Sequence, residues 1–345
     1  MRARGLTRGH EGCGLKRVLV LVVGVGRSQL SPSPVLWGET DTYEDAARSG
    51  IPSGPLFPIP TTHTNTRFNP HGHALAALAV LTLATAATTA SAATPPAGLS
   101  LDQPLRQGQL VVGRTEPGAR VSVDQRNLRV DDVGRFVFGL GRDQTRVSLC
   151  VRLPRDAKAR CAGLSVEARE YAIERVNGLP PSTVAPDPAE QARIEREAAL
   201  ITKAREADTP RSDFATPFAW PARGRISGVY GSQRVLNGEP KNPHMGLDIA
   251  APTGTQIAAP LPGVVTLVHP DMLLTGKTVV IDHGHGVSSV YIHMSRIDVS
   301  EGQRLAQGAP IGAIGMTGRA SGPHLHWGLN WFEVKLDPRL SLPES

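Results

Sequence analysis

The stretch Asn242-Pro243-His244-Met245-Gly246-Leu247-Asp248-Ile249-Ala250 decides how the last third of this chain folds. It is answered eighty residues later by Gly322-Pro323-His324-Leu325-His326-Trp327-Gly328. Proline and glycine interrupt both stretches and break any 3.6-residue helical period. Each half sets metal-ligating side chains at an even spacing, His244 with Asp248 and His324 with His326. In extended backbone, residues two or four apart point to one face, so two strands side by side aim all four groups into one spot. The helical zinc motif H-E-x-x-H is absent, so a metal site here must be built on a sheet. Two imidazoles and one carboxylate with an open position form the ligand set of a catalytic rather than a structural zinc. A zinc held so keeps a water and lowers its pKa to about 7. An isolated His-x-His is more often an unrelated surface or core pair. Here a His-x-x-x-Asp, a Gly-Pro-His-x-His and a further histidine between them, His293, share one region.

Together, His244-x-x-x-Asp248, Tyr291-Ile-His293-Met-Ser295 and His324-Leu-His326 resemble the motifs of the peptidoglycan-cutting zinc endopeptidases of the lysostaphin and LytM type, peptidase family M23. The resemblance covers roughly the last third of the chain, with the motifs in the family's order. It implies that His244, Asp248 and His326 hold one Zn2+ per chain. It also implies that His293 and His324 stand beside the water, orienting or deprotonating it and stabilising the oxyanion. The residues alone do not say which imidazole does which, and by spacing alone His324 exchanges with His326. The implied substrate is the peptide crosslink of peptidoglycan, a D-Ala to diaminopimelate bond in a Gram-negative envelope, with envelope proteins as further partners. One departure is Met294, where the family more often has Leu; this conserves volume on the opposite face of the strand. The alternative is a non-catalytic LytM-type protein that binds wall or regulates an amidase. Such members have lost ligands, and here every ligand is present.

Three residues are candidates for binding substrate. Tyr291 is expected to share a strand face with His293, Asn237 tips the loop from Ser232 to Asn242, and Thr317 lies in a glycine-rich loop before His324. The rival pair in Asp282-His283-Gly284-His285-Gly286 reads as a hairpin turn whose histidines face solvent. Trp327 and Trp331 are expected in the core.

Outward from the site, residues 213–345 alternate tight turns with short apolar runs and show almost no helical period. This region is expected to be an antiparallel β domain of LytM type. Residues 97–170 hold short runs at Leu110–Gly113, Arg120–Val123, Leu128–Val130, Phe136–Phe138 and Val147–Val151. Strands at roughly 8–12-residue intervals predict a small β-sandwich, an accessory module for wall binding, docking or cover. Residues 171–212 read as a linker, in which Asp187 caps and Pro188 opens a helix to about Ala207. Its charges, Arg193, Glu197, Lys203 and Glu206, mark a solvated helix. If sandwich or helix covers the cleft, deleting residues 93–212 raises activity.

A length of 345 residues suggests about two domains. The formal net charge of +6 attracts polyanions. Aromatic residues are only 4% of the chain and no basic run interleaves with them, which argues against nucleic acid and for an anionic envelope. Cys150 and Cys161 flank the turn Leu153-Pro154-Arg155-Asp156 and are expected to pair in an exported chain. Neither has a histidine nearby, so a thiol peptidase finds no support. Cys13 is left odd. The apolar run Ala74–Leu83 followed by Ala90-Ser91-Ala92 reads as a signal peptide over 73–92 with a small-residue cleavage site. It outranks Val18–Val25, which lacks one. Residues 1–72 then read as a non-native or disordered leader, with the true start near Arg67. Neither run reaches the roughly 18–20 apolar residues of a spanning helix, so the chain is expected in the periplasm or cell envelope.

Overall fold

The computed structural model describes residues 94–177 and 188–343. The leader, the signal peptide, Cys13 and Asp187 lie outside the described residues. The first described part is a β-sandwich built from β1 (Leu99–Leu101), β2 (Leu110–Thr115), β3 (Arg120–Val123), β4 (Arg126–Leu128), β5 (Arg135–Gly139), β6 (Arg146–Arg152) and β7 (Arg160–Ser165). One sheet runs β1-β2-β5 and the other β4-β3-β6-β7. Alternation drives it: Val121 and Val123, Val147, Leu149 and Val151 all turn inward with Phe136 and Phe138. Cys150 and Cys161 face each other in the β6–β7 register and are disulfide-bonded. Replacing both with serine is expected to cost about 3 kcal/mol by freeing a short loop in the unfolded chain. A denaturant midpoint unchanged from wild type would remove that role.

The remaining elements are β8 (Ile173–Val176), α1 (Pro188–Arg205), β9 (Arg225–Gly228), β10 (Gln233–Leu236), β11 (Glu239–Pro240), β12 (Leu247–Ala250), β13 (Gln256–Ala258), β14 (Gly263–Met272), β15 (Gly276–Gly284), β16 (Val287–Ile297), β17 (Arg304–Leu305), β18 (Pro310–Ile314), β19 (His324–Trp331) and β20 (Val334–Leu336). The main sheet runs β17-β14-β15-β16-β19-β12-β9, with β20 beside β19 and β13 and β18 attached through β16. All its pairings are antiparallel. One face buries Leu247, Ile249, Tyr291, Met294, Leu325 and Trp327. The other carries Leu267, Met272, Val280, Val290 and Ile292, on which α1 lays Ile201. Ile292 pairs with His326 across β16–β19, so α1 packs on the same face of the sheet that carries His326.

α1 is docked rather than simply solvated. Ile194 and Ile201 are buried, and Glu197 accepts a hydrogen bond from the backbone of Leu273 at 2.7 Å. No helix among the described residues is long and apolar enough to cross a membrane. The sandwich core is continuous with the main sheet, because Val287, Leu329, Trp331 and Leu336 pack into the cluster of Phe136, Phe138 and Leu140.

Residues after α1 staple the β15–β16 turn. Arg211 pairs with Asp282, Thr209 Oγ1 donates to Asp282 Oδ2 at 2.8 Å and His285 N donates to Thr209 O at 2.9 Å. The turn histidines expected to face solvent are therefore both buried. His283 bridges Pro262 O at 2.6 Å and Ser289 Oγ at 2.7 Å, and burial pushes its imidazole below the ordinary histidine range. His285 packs on Phe214. A turn is solvent-facing only while nothing docks on it, and here the 208–216 segment does.

Candidate metal centre

Asp248 and His326 meet because β12 and β19 are antiparallel neighbours in a register that sets Asp248 directly opposite His326. His244 precedes β12, and backbone bonds bring it in. His244 N donates to Ser232 O at 2.7 Å, and Gly231 N donates to His244 O at 2.8 Å. Its Nδ1 lies 3.1 Å from Val229 O, which selects the tautomer with the proton on Nδ1 and the lone pair on Nε2. The result is a triangle. His244 Nε2 lies 3.0 Å from Asp248 Oδ1 and 2.9 Å from His326 Nδ1, and His326 Nδ1 lies 2.8 Å from Asp248 Oδ1.

The donor set fits a zinc ion. Two nitrogens and one oxygen, all within 4.8 Å of one another, are the types and number that leave one tetrahedral position open. Tetrahedral ligands at bonds of about 2.0–2.1 Å stand about 3.3 Å apart, so the triangle need open by only a few tenths of an ångström. Glycines make the approach feasible. A Cβ on Gly228 would lie 2.2 Å from Asp248 Oδ2, and one on Gly246 would lie 2.5 Å from His326 Nε2. Burial pushes the Asp248 carboxyl up, but the imidazoles of His244 and His326 more than reverse this and hold it well below the usual carboxylate range. The ligand oxygen is thus ionised, as metal binding requires.

His324 lies two residues before His326, on the same face of β19, and its Nδ1 lies 2.8 Å from Gly322 O. His293 reaches it from β16 with ring centroids 4.7 Å apart. Here strand alternation fails in an informative way. His293 has φ +62°, and the β15–β16 register slips between Lys277–Met294 and Val279–Tyr291, so Ile292 and His293 together oppose Thr278. This bulge re-aims the imidazole. Tyr291 and Met294, three apart, both enter the core on the far face, and His293 turns toward His324. Tyr291 therefore does not share a face with His293. It is fully buried, and its hydroxyl is bonded to Ser289 Oγ at 2.8 Å.

Thr317 sits behind His293. Its carbonyl lies 2.8 Å from His293 Nδ1, and its Oγ1 donates to Met294 O at 2.8 Å and accepts from Lys277 N at 2.9 Å. These bonds put the proton on Nδ1 and the lone pair on Nε2 of His293. Asn237 is exposed at the tip of the β10–β11 hairpin with φ +51°. Val229 and Gly231, which hold His244, escaped the sequence reading because they act through backbone atoms. Their one trace is the glycine-punctuated run Gly228-Val-Tyr-Gly231.

The model of Peptidase family M23 matches residues 242–338. The chain is 44% identical over 89 residues to the peptidoglycan DD-endopeptidase ShyA of Vibrio cholerae, covering 25% of this chain and 20% of that protein. It is 42% identical over 84 residues to the DD-carboxypeptidase/endopeptidase Mpg of Neisseria meningitidis, covering 24% and 19%. It thus spans about a fifth of the length of these curated relatives. A crystal structure from Pseudomonas aeruginosa described as a peptidase M23 aligns over 70% of this chain and 96% of that one, at 29% identity and a TM-score of 0.54. That coverage exceeds what residues 213–345 make up, so the likeness takes in part of the accessory region as well.

Proposed function

Residues 242–338 form a domain of peptidase family M23, and from that premise we propose that the chain is a zinc metalloendopeptidase hydrolysing peptide crosslinks of peptidoglycan. The observation that carries this reading is the convergence of His244, Asp248 and His326 into one triangle of donors. Relatives named as peptidoglycan DD-endopeptidase and DD-carboxypeptidase/endopeptidase support the substrate class. An exported, envelope location follows from that substrate.

In this reading His244 Nε2, Asp248 Oδ1 and His326 Nδ1 hold the Zn2+. When bound, zinc lowers the pKa of a water to about 7 and polarises a carbonyl oxygen. His293 and His324, each with Nδ1 committed to a backbone carbonyl, present Nε2 to the reacting groups. One takes the proton of the attacking water and later delivers it to the leaving amine; the other, protonated, donates to the oxyanion. Thr317 belongs to this machinery as the group that orients His293. The hairpin carrying Asn237 stands as one wall of the groove.

The test is metal dependence. Purified chain is expected to carry close to one zinc, to release new amino groups from peptidoglycan, and to stop when a chelator removes the metal. Adding Zn2+ back restores turnover. Unchanged turnover after chelation would end the reading.

A further inference from the structure

The turn Val229–Ser232 touches His244 three times. It takes the ring Nδ1 proton at Val229 O, accepts His244 N at Ser232 O, and donates Gly231 N to His244 O. Inside the turn, Ser232 ties back to Val229 O through Oγ at 2.9 Å and through N at 3.4 Å, and a further clamp comes from outside it. Arg142, from the loop after β5 of the sandwich, donates from both Nη2 and Nε to Gly231 O at 2.8 and 3.0 Å. Its guanidinium lies 4.3 Å from the ring centroid of Tyr171, and the Tyr171 hydroxyl donates back to Arg142 O at 3.3 Å. The Tyr171 ring in turn covers Gly231. Gly231 has φ +84°, and a Cβ there would lie 2.0 Å from Tyr171 Cδ1. Tyr171 and Tyr230 meet edge to face at 6.2 Å, and Tyr230 Oη donates to Lys335 O at 2.9 Å. Immediately downstream, β8 adds to β10 as a parallel strand, with Gln233 opposite Ile173.

We propose that Arg142 and Tyr171 are positioning residues for the metal centre, so that the sandwich and the segment following it set the orientation of His244 and hence the affinity for the metal. This rests on the zinc reading above and adds to it a second layer supplied from outside residues 242–338. The physical logic is that of outer-shell partners, which fix a ligand's tautomer and ring plane. Arg142 is well suited to it. The side chain is only 12% exposed, its fork meets one carbonyl with two donors, and the aromatic face limits its freedom.

The experiment uses the full chain with Arg142→Met, Tyr171→Ala and the control Arg152→Met, a sandwich arginine with no ion pair among the described residues. Zinc affinity is read by competition with a chromogenic chelator, ligand geometry by the visible spectrum of the Co2+-loaded protein, and the turn itself by hydrogen exchange of peptides spanning 229–245. Arg142→Met and Tyr171→Ala are expected to weaken zinc binding by about 10–100-fold, to alter the Co2+ spectrum and to speed exchange in 229–245, while Arg152→Met matches wild type. Should Arg142→Met fail to fold, Arg142→Lys, with one point donor in place of the fork, is expected to show an intermediate loss. Wild-type affinity and exchange in Arg142→Met and Tyr171→Ala would overturn the proposal. If wild-type chain binds no zinc, the metal reading fails, and the exchange arm alone still decides whether Arg142 and Tyr171 hold the turn.

Discussion

Asp248→Ala is expected to bind no stoichiometric zinc and to lose endopeptidase turnover by about three orders of magnitude or more, and His244→Ala to behave alike. The size follows from what is removed. Metal polarisation is worth several kcal/mol of transition-state charge stabilisation, and each 1.36 kcal/mol is tenfold in rate. Asp248 is the more informative position because it touches both imidazoles, at 3.0 and 2.8 Å. Without it, two nitrogens 2.9 Å apart face each other with no charge to offset a divalent cation. The variant separates metal loss from misfolding, since the strand pairings on either side of Asp248 are backbone bonds that alanine keeps. Circular dichroism and a melting midpoint near that of metal-free wild type check this. A folded Asp248→Ala chain that still carries one zinc would show that the ion is held elsewhere.

How far the centre was legible depends on which rule each residue obeys. Asp248, His324 and His326 lie in strands that pair directly, so period-two reasoning suffices for them. His244 precedes β12 and is held by the turn Val229–Ser232 rather than by strand alternation. In the sandwich, β2, β3, β5 and β6 were legible by period two, whereas β1 and β7 lie outside the expected runs and β4 is Arg126–Leu128 rather than Leu128–Val130. His293 with Tyr291 follows the same spacing and misleads, because a bulge at φ +62° inserts one residue and turns the two side chains to opposite faces. A positive φ on a non-glycine residue costs of order 1–3 kcal/mol and is held by surroundings; here these are Thr275 O, which accepts His293 N at 2.9 Å, and Thr317. Neither contact is visible in local sequence.

What the accessory region covers was illegible for a related reason. Most of its strands were plain, but the surface it covers depends on long-range docking. Trp331 and Leu329 pack into the sandwich core, and α1 covers the apolar strip beside His326. Removing residues 93–212 would strip both covers and the Arg142 clamp, so the gain in activity expected from a simple lid gives way to an expected loss of metal affinity and of soluble folded chain.

The second large effect is expected at His293. The useful substitution is His293→Asn, because asparagine tolerates the left-handed backbone that position demands, whereas alanine adds strain there. The variant is expected to keep zinc within a few-fold of wild type and to lose turnover by about 10²–10⁴-fold, the usual range for a positioned acid or base, with KM little changed. Retention of zinc matters as much as loss of rate. His293 is not among the three groups that converge, so a variant that loses its metal would make it a ligand and redraw the centre. His324→Ala then divides the labour. The residue that takes the proton from water should shift the acidic limb of the kcat/KM profile when replaced and recover rate with added imidazole. The residue that only donates to the oxyanion should lower turnover without moving that limb. If His293→Asn turns over normally, the bulge that aims this ring at His324 serves packing, and His324 alone must move the proton.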